Sequence, residues 1–158
     1  MQKPITGIII SGALMLGCNS YEKNIFRAEF SSNSSIEGSF KVRERDLYSV
    51  SIENDVSGPI RENREKAWNY LNYSSSKETL AAHVLIQRMD KKQDALVMGR
   101  FVINPKITSW SNEKLYIELA QVELLKGKYR LRIYASGKNL DHDSFSSSIV
   151  VEHAYTGK

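Results

Sequence analysis

The chain is short of cysteine, of charge of one sign and of long apolar runs, and each shortage excludes something. A single cysteine among 158 residues leaves no disulfide framework and no zinc site built on several thiolates. With 22 Lys+Arg against 18 Asp+Glu, the net charge is only +4, short of the clustered basic footprint that a nucleic-acid partner requires. Apolar residues make up 41% and charged residues 25%. These values are near the averages for soluble globular domains and exclude a polytopic membrane protein, a collagen-like chain and a wholly disordered one. The length suits one domain and is too small for two ordinary ones. Also missing are G-x-S-x-G, H-E-x-x-H, a P-loop and G-x-G-x-x-G.

What is there begins with an address. Met1-Gln2-Lys3 is a short basic start, Ile5 to Leu16 is uncharged and mostly apolar or small, and Gly17 precedes Cys18. These are the three parts of a secretory signal. The apolar run is too short for a membrane-spanning helix, which takes about 20 residues. Leu14-Met15-Leu16-Gly17-Cys18 resembles a bacterial lipobox, in which signal peptidase II cuts before the cysteine and leaves it acylated. Met15 stands where leucine is usual, with Leu14 one position further out. The competing readings are an ordinary secretory signal with a chance cysteine, or a buried N-terminal strand. Lipidation of Cys18 would also account for one unpaired thiol in an exported protein. Asn19, rather than Asp, follows the cysteine, which by resemblance to the enterobacterial sorting rule points to the outer membrane, facing the periplasm. The expected organisation is a leader over 1–17, a lipidated N-terminus and tether over 18–24, and one domain over 25–158. Removing 1–17 leaves 141 residues and a net charge of +3, Lys3 being the only charge lost.

The remaining chain reads as strands. Phe26, Ala28 and Phe30 share a side at period two. Ile36, Gly38, Phe40 and Val42 alternate with polar neighbours, as do Tyr48, Val50 and Ile52. That alternation is the mark of half-buried strands. A hairpin through Arg43-Glu44-Arg45-Asp46 is the natural connection. Pro59 opens a helix in which Ile60, Ala67, Trp68 and Leu71 share a face, Trp68 reading as a core anchor. Further strands are expected over 79–89, 95–103 (with Gly99 as a bulge candidate), 114–124, 128–135 and 145–151. Seven or eight strands, short turns and one short helix predict a mainly β fold, an antiparallel immunoglobulin-like β-sandwich. Leu124-Leu125-Lys126-Gly127-Lys128-Tyr129 has the spacing of a tyrosine corner, in which the hydroxyl returns to a backbone group a few residues upstream; the plain alternative is a tyrosine at a strand start.

Candidates for chemistry are few. His83 sits in a strand and His153 near the tail. His142 lies in Asp141-His142-Asp143, either a metal-holding cluster or a solvated turn. No serine has a recognisable base beside it. The reading therefore assigns no catalytic, cofactor-binding or metal residue, expects no cofactor, and prefers a binding module to an enzyme. Trp110, in the polar stretch Asn104 to Asn112, is either an interface anchor or a residue folded back over a sandwich end.

Several features together resemble a family of small proteobacterial lipoproteins that carry one sandwich domain. They are the lipobox, Tyr48-Ser49-Val50-Ser51-Ile52, Ala67-Trp68-Asn69-Tyr70-Leu71, and the L-x-x-G-x-Y-R-L-R-I run from Leu124 to Ile133. Some members look like immunity proteins for type VI secretion phospholipase effectors. The resemblance implies a periplasmic, lipid-anchored protein that binds and neutralises such a phospholipase. It brings no catalytic residues. The alternative is an envelope accessory lipoprotein that binds glycan or an assembly partner. Binding loops expected in either case are Asn54 to Pro59, Ser74 to Lys77, Asn104 to Asn112 and Gly137 to Ser144.

Overall fold

The computed structural model describes residues 24–31, 33–56, 60–71, 79–90, 93–137 and 146–154. The leader, Cys18, His142 and the 74–77 loop lie outside them. The described elements are β1 (Asn24–Glu29), β2 (Ser35–Val42), β3 (Asp46–Asp55), α1 (Ile60–Leu71), β4 (Leu80–Arg88), β5 (Ala95–Ile103), β6 (Ile107–Trp110), β7 (Lys114–Leu124), β8 (Gly127–Gly137) and β9 (Ser146–His153). They form a mainly β, antiparallel sandwich with one short helix. One sheet has the order β1-β9-β3-β7-β6, the other β2-β8-β4-β5.

Period-two patterning supplies the core. Tyr48, Val50 and Ile52 of β3 face Val84 and Ile86 of β4 and Leu131 and Ile133 of β8, all buried. Ala67 and Leu71 of α1 join the same cluster, and Trp68 packs against its margin. A fully buried aliphatic side chain contributes roughly 1.5–3 kcal/mol relative to exposure. Asn54 is buried within this apolar setting. Its amide donates to the Leu115 carbonyl at 3.2 Å and its Oδ1 accepts from the Ser147 hydroxyl at 2.7 Å, so its burial leaves neither end of the amide unmet.

Pairing departs from the expected hairpin. β2 pairs with β8, whereas β3 pairs with β7 and β9. Residues 43–45 therefore carry the chain from one sheet to the other. Alternation within each strand is blind to which sheet the strand joins. The result is a jelly-roll order with β6 as an added edge strand. In the immunoglobulin order the last two strands are neighbours in one sheet, whereas β8 and β9 lie in opposite sheets. The bulge expected at Gly99 is displaced: the β4–β5 register shifts between Ile86 and Gln87, opposite the step from Met98 to Leu96. β7 carries a second shift opposite Val50/Ser51, which lets Leu119 and Ala120 both be buried.

Tyr129 forms the predicted corner. Its hydroxyl donates to the Leu125 carbonyl at 2.8 Å, and its ring stacks on Phe40 with centroids 5.7 Å apart. A second corner sits beside it, because the Tyr48 hydroxyl donates to the Glu44 carbonyl at 3.2 Å. The two crossings are adjacent, with Val42 opposite Gly127 and Asp46 opposite Leu124. Tyr129→Phe is expected to lower stability by roughly 1 kcal/mol, the net worth of one buried hydrogen bond. Tyr48→Phe should cost no more, its bond being longer. Urea denaturation midpoints at unchanged slope check both.

Candidate interaction surface

The two flanks of the sandwich differ. On one, β1 and β2 close together, because Gly38 leaves room for the Phe26 ring. A Cβ there would stand 2.4 Å from Phe26 Cε2, and Phe26 in turn lies 6.3 Å from the Phe40 ring. On the other flank run the edge strands β5 and β6, joined by residues 104–106. Asn104 turns the chain between sheets at φ 47°, a left-handed conformation that asparagine adopts more readily than most residues. Its N–H donates to the Leu80 carbonyl at 2.8 Å and its Oδ1 accepts from the Leu80 N–H at 2.9 Å.

This second flank is open and apolar. Of the seven large apolar side chains exposed among the described residues, Leu96, Val97, Phe101 and Ile103 are on β5, Trp110 is on β6, and Tyr134 is nearby on β8. Only Leu125 lies elsewhere. Tyr134, His83 and Phe101 form one row across β8, β4 and β5, with His83 edge-on to Phe101 at 6.4 Å. An apolar edge strand of nine residues is a ready template for another chain, and isolated proteins usually blunt such edges. Here Arg100 and the shift near Val97 are the blunting features on β5. Exposed apolar side chains gathered on one flank make it the candidate interaction surface.

Trp110 belongs to this flank. It ends strand β6 rather than lying in a polar loop, is 59% exposed, and meets Trp68 of α1 edge-to-face at 5.5 Å. It folds back onto the helix and still presents most of its surface. The strand ends bordering all four expected binding loops lie at the end of the sandwich that holds Trp110. In the sequence Leu96, Phe101 and Ile103 are simply members of the strand expected over 95–103. A strand apolar on both faces reads as buried, and nothing in its own residues says that it is an edge.

The outer face of the five-stranded sheet carries the main polar cluster. Glu53 on β3 is almost wholly buried, with Arg27 at 2.7 Å and Lys114 at 2.8 Å. Burial alone would raise its carboxyl, but the hydrogen bonds from Arg27 and Lys114 outweigh that and hold it below the usual range. The Tyr116 hydroxyl, buried and bonded to Glu53, is pushed well above its ordinary range. Ser49 and Ser51 are also buried on this face and bond to each other at 2.9 Å. Glu53, Ser49 and Ser51 thus all have partners within the cluster. His153 bonds Asp46 at 2.8 Å and His83 lies in the aromatic row. Among the described residues no group of His, Cys, Asp and Glu is arranged to hold a metal, and no helix is long and apolar enough to cross a membrane.

The fold and the open flank define a jelly-roll sandwich domain with one apolar edge. The chain belongs to the DUF5625 family, described as a domain of unknown function, which matches residues 30–151. No curated protein matches it. Among solved structures, GEBA250068378 from Sulfurospirillum deleyianum is similar with a TM-score of 0.64 at 11% identity, over 82% of this chain and 98% of that one. That likeness shows the fold alone. A ruminal GH26 endo-beta-1,4-mannanase is similar with a TM-score of 0.37 at 13% identity, over 80% of this chain and 19% of that one.

Proposed function

We propose that the chain is a lipid-anchored periplasmic immunity protein that neutralises a type VI secretion phospholipase by binding it through the β5–β6 flank. The observation that carries the reading is the row of exposed apolar side chains on that flank of an otherwise closed sandwich. Exposed Phe101 and Trp110 are the kind of aromatic anchors around which tight interfaces form. The leader and Cys18 support delivery to the envelope, and the resemblance to lipoproteins of this type supports the nature of the partner. Inhibition needs occlusion only and calls for no catalytic group.

The test is co-expression of the full chain with the phospholipase in the periplasm. Protection of the cells, with a complex on gel filtration, is the expected result. Unprotected cells and no complex would reject the reading, and retention on glycan resin instead would favour the envelope accessory role. Cys18→Ser should remove palmitate labelling and release the chain from the membrane fraction; a labelled, membrane-pelleting product would show that Cys18 is not the lipidated residue.

A further inference from the structure

We propose that the end of the sandwich bearing the two tyrosine corners is a docking surface for an anionic bilayer. Three separate observations converge there. The first is charge without partners. Lys41, Arg43, Lys126 and Lys128 are all exposed at this end, and none forms an ion pair among the described residues. Lys41 and Lys128 are direct cross-strand partners of β2 and β8. Like charges placed opposite each other destabilise a sheet, and an anion lying against the pair would relieve that cost. The carboxylates nearby are largely committed: Glu123 bonds Arg45, Asp46 bonds His153, and Asp90 also has a partner. Glu44 remains as an exposed opposing charge.

The second is Leu125. It stands at the β7–β8 crossing beside Lys126, 47% exposed, with its carbonyl held by the Tyr129 hydroxyl. An apolar side chain among cations is the combination that enters a headgroup region.

The third is the path of the chain. β1 enters the sheet at Asn24 opposite Glu152 of β9, and β9 ends beside Tyr48, so the N-terminal segment joins the domain at this same end. From Cys18 to Asn24 even an extended chain reaches only about 20 Å. An anchor at Cys18 would hold these cations within a few Debye lengths of the surface, each about 8 Å at physiological ionic strength. The apolar flank and the Trp110 end would then face the periplasm. The inference rests on the anchored reading for this proximity alone, and not on the identity of any protein partner.

The full chain reconstituted into vesicles tests it. One set is phosphatidylcholine, the other phosphatidylcholine with phosphatidylglycerol, and amine acetylation is read by mass spectrometry. Lys41, Lys126 and Lys128 should label about threefold more slowly on the anionic vesicles, with the protection lost in roughly 1 M salt. Lys106, at the opposite end, should label equally on both. Lys126→Glu with Lys128→Glu should abolish the protection at Lys41 without changing the circular dichroism. Equal labelling of the three lysines on both vesicles, with the chain pelleting with both, would overturn the docking surface and leave the anchor standing. Protection on anionic vesicles by a chain that does not pellet with phosphatidylcholine would uphold docking and count against the anchor.

Discussion

Phe101→Asp is expected to weaken capture of the phospholipase by at least about a hundredfold, the scale of a lost interface anchor at 1.4 kcal/mol per tenfold. Phe101 is 64% exposed and faces outward from an edge strand, so the change should move folding stability by no more than about 0.5 kcal/mol. A carboxylate there would have to be desolvated beneath a partner, which adds to the lost contact. Ser39→Asp, exposed on β2 of the same sheet, places equal charge near the closed flank and should leave capture unchanged. Titration calorimetry with the two variants separates a flank-specific effect from a general effect of negative charge. Equal affinity of Phe101→Asp and the parent would remove β5 from the interface.

The second large effect concerns Glu53. Its carboxylate receives Arg27, Lys114 and Tyr116 at once, tying β1, β3 and β7 together across the outer face of one sheet. Glu53→Ala strips all three of their acceptor. Arg27 and Lys114 are 44% and 31% exposed along their side chains and can turn to water, whereas Tyr116 cannot. A loss of about 2 kcal/mol is expected, within the cost of leaving buried polar partners unmet. Because the Glu53 carboxyl is held below its ordinary range, its contribution is present above an unfolded-state value of about 4.3 and fades as pH falls through the lower folded-state value. The parent should therefore lose stability on acidification more steeply than Glu53→Gln. Parallel acid slopes in the two proteins would mean that Glu53 does not stay ionised as described.

Local chemistry was readable in the sequence where one residue dictates one geometry. The helix beginning at Ile60, the strands over 95–103 and 114–124, and the Tyr129 corner with Gly127 before it all follow from short-range rules. The second corner carries no such signature, because Asp46, not glycine, sits two residues before Tyr48, although the hydroxyl finds the carbonyl four residues back in both. Sheet membership was not readable either. Val42 and Tyr48 alternate properly whether the turn between them closes a hairpin or crosses a sandwich, and that choice is made by distant partners, Gly127 and Val122 among them. The same non-locality hides the exposure of the apolar flank. Leu96, Phe101 and Ile103 would look no different in a buried strand; they are surface because β5 is an edge strand and none of the described elements covers that face of it. The buried Ser49, Ser51 and Glu53 are the converse, polar residues of an outer face, Glu53 being held there by Arg27, Lys114 and Tyr116.

Hydrogen–deuterium exchange of the full chain, alone and mixed with the phospholipase, tests most directly whether the flank is where the protein acts. Slowed exchange confined to residues 95–103 and 107–110 is predicted, because a bound partner shields the amides of these edge strands. Slowing on 24–29 and 35–42 instead, or no change anywhere, would contradict the account.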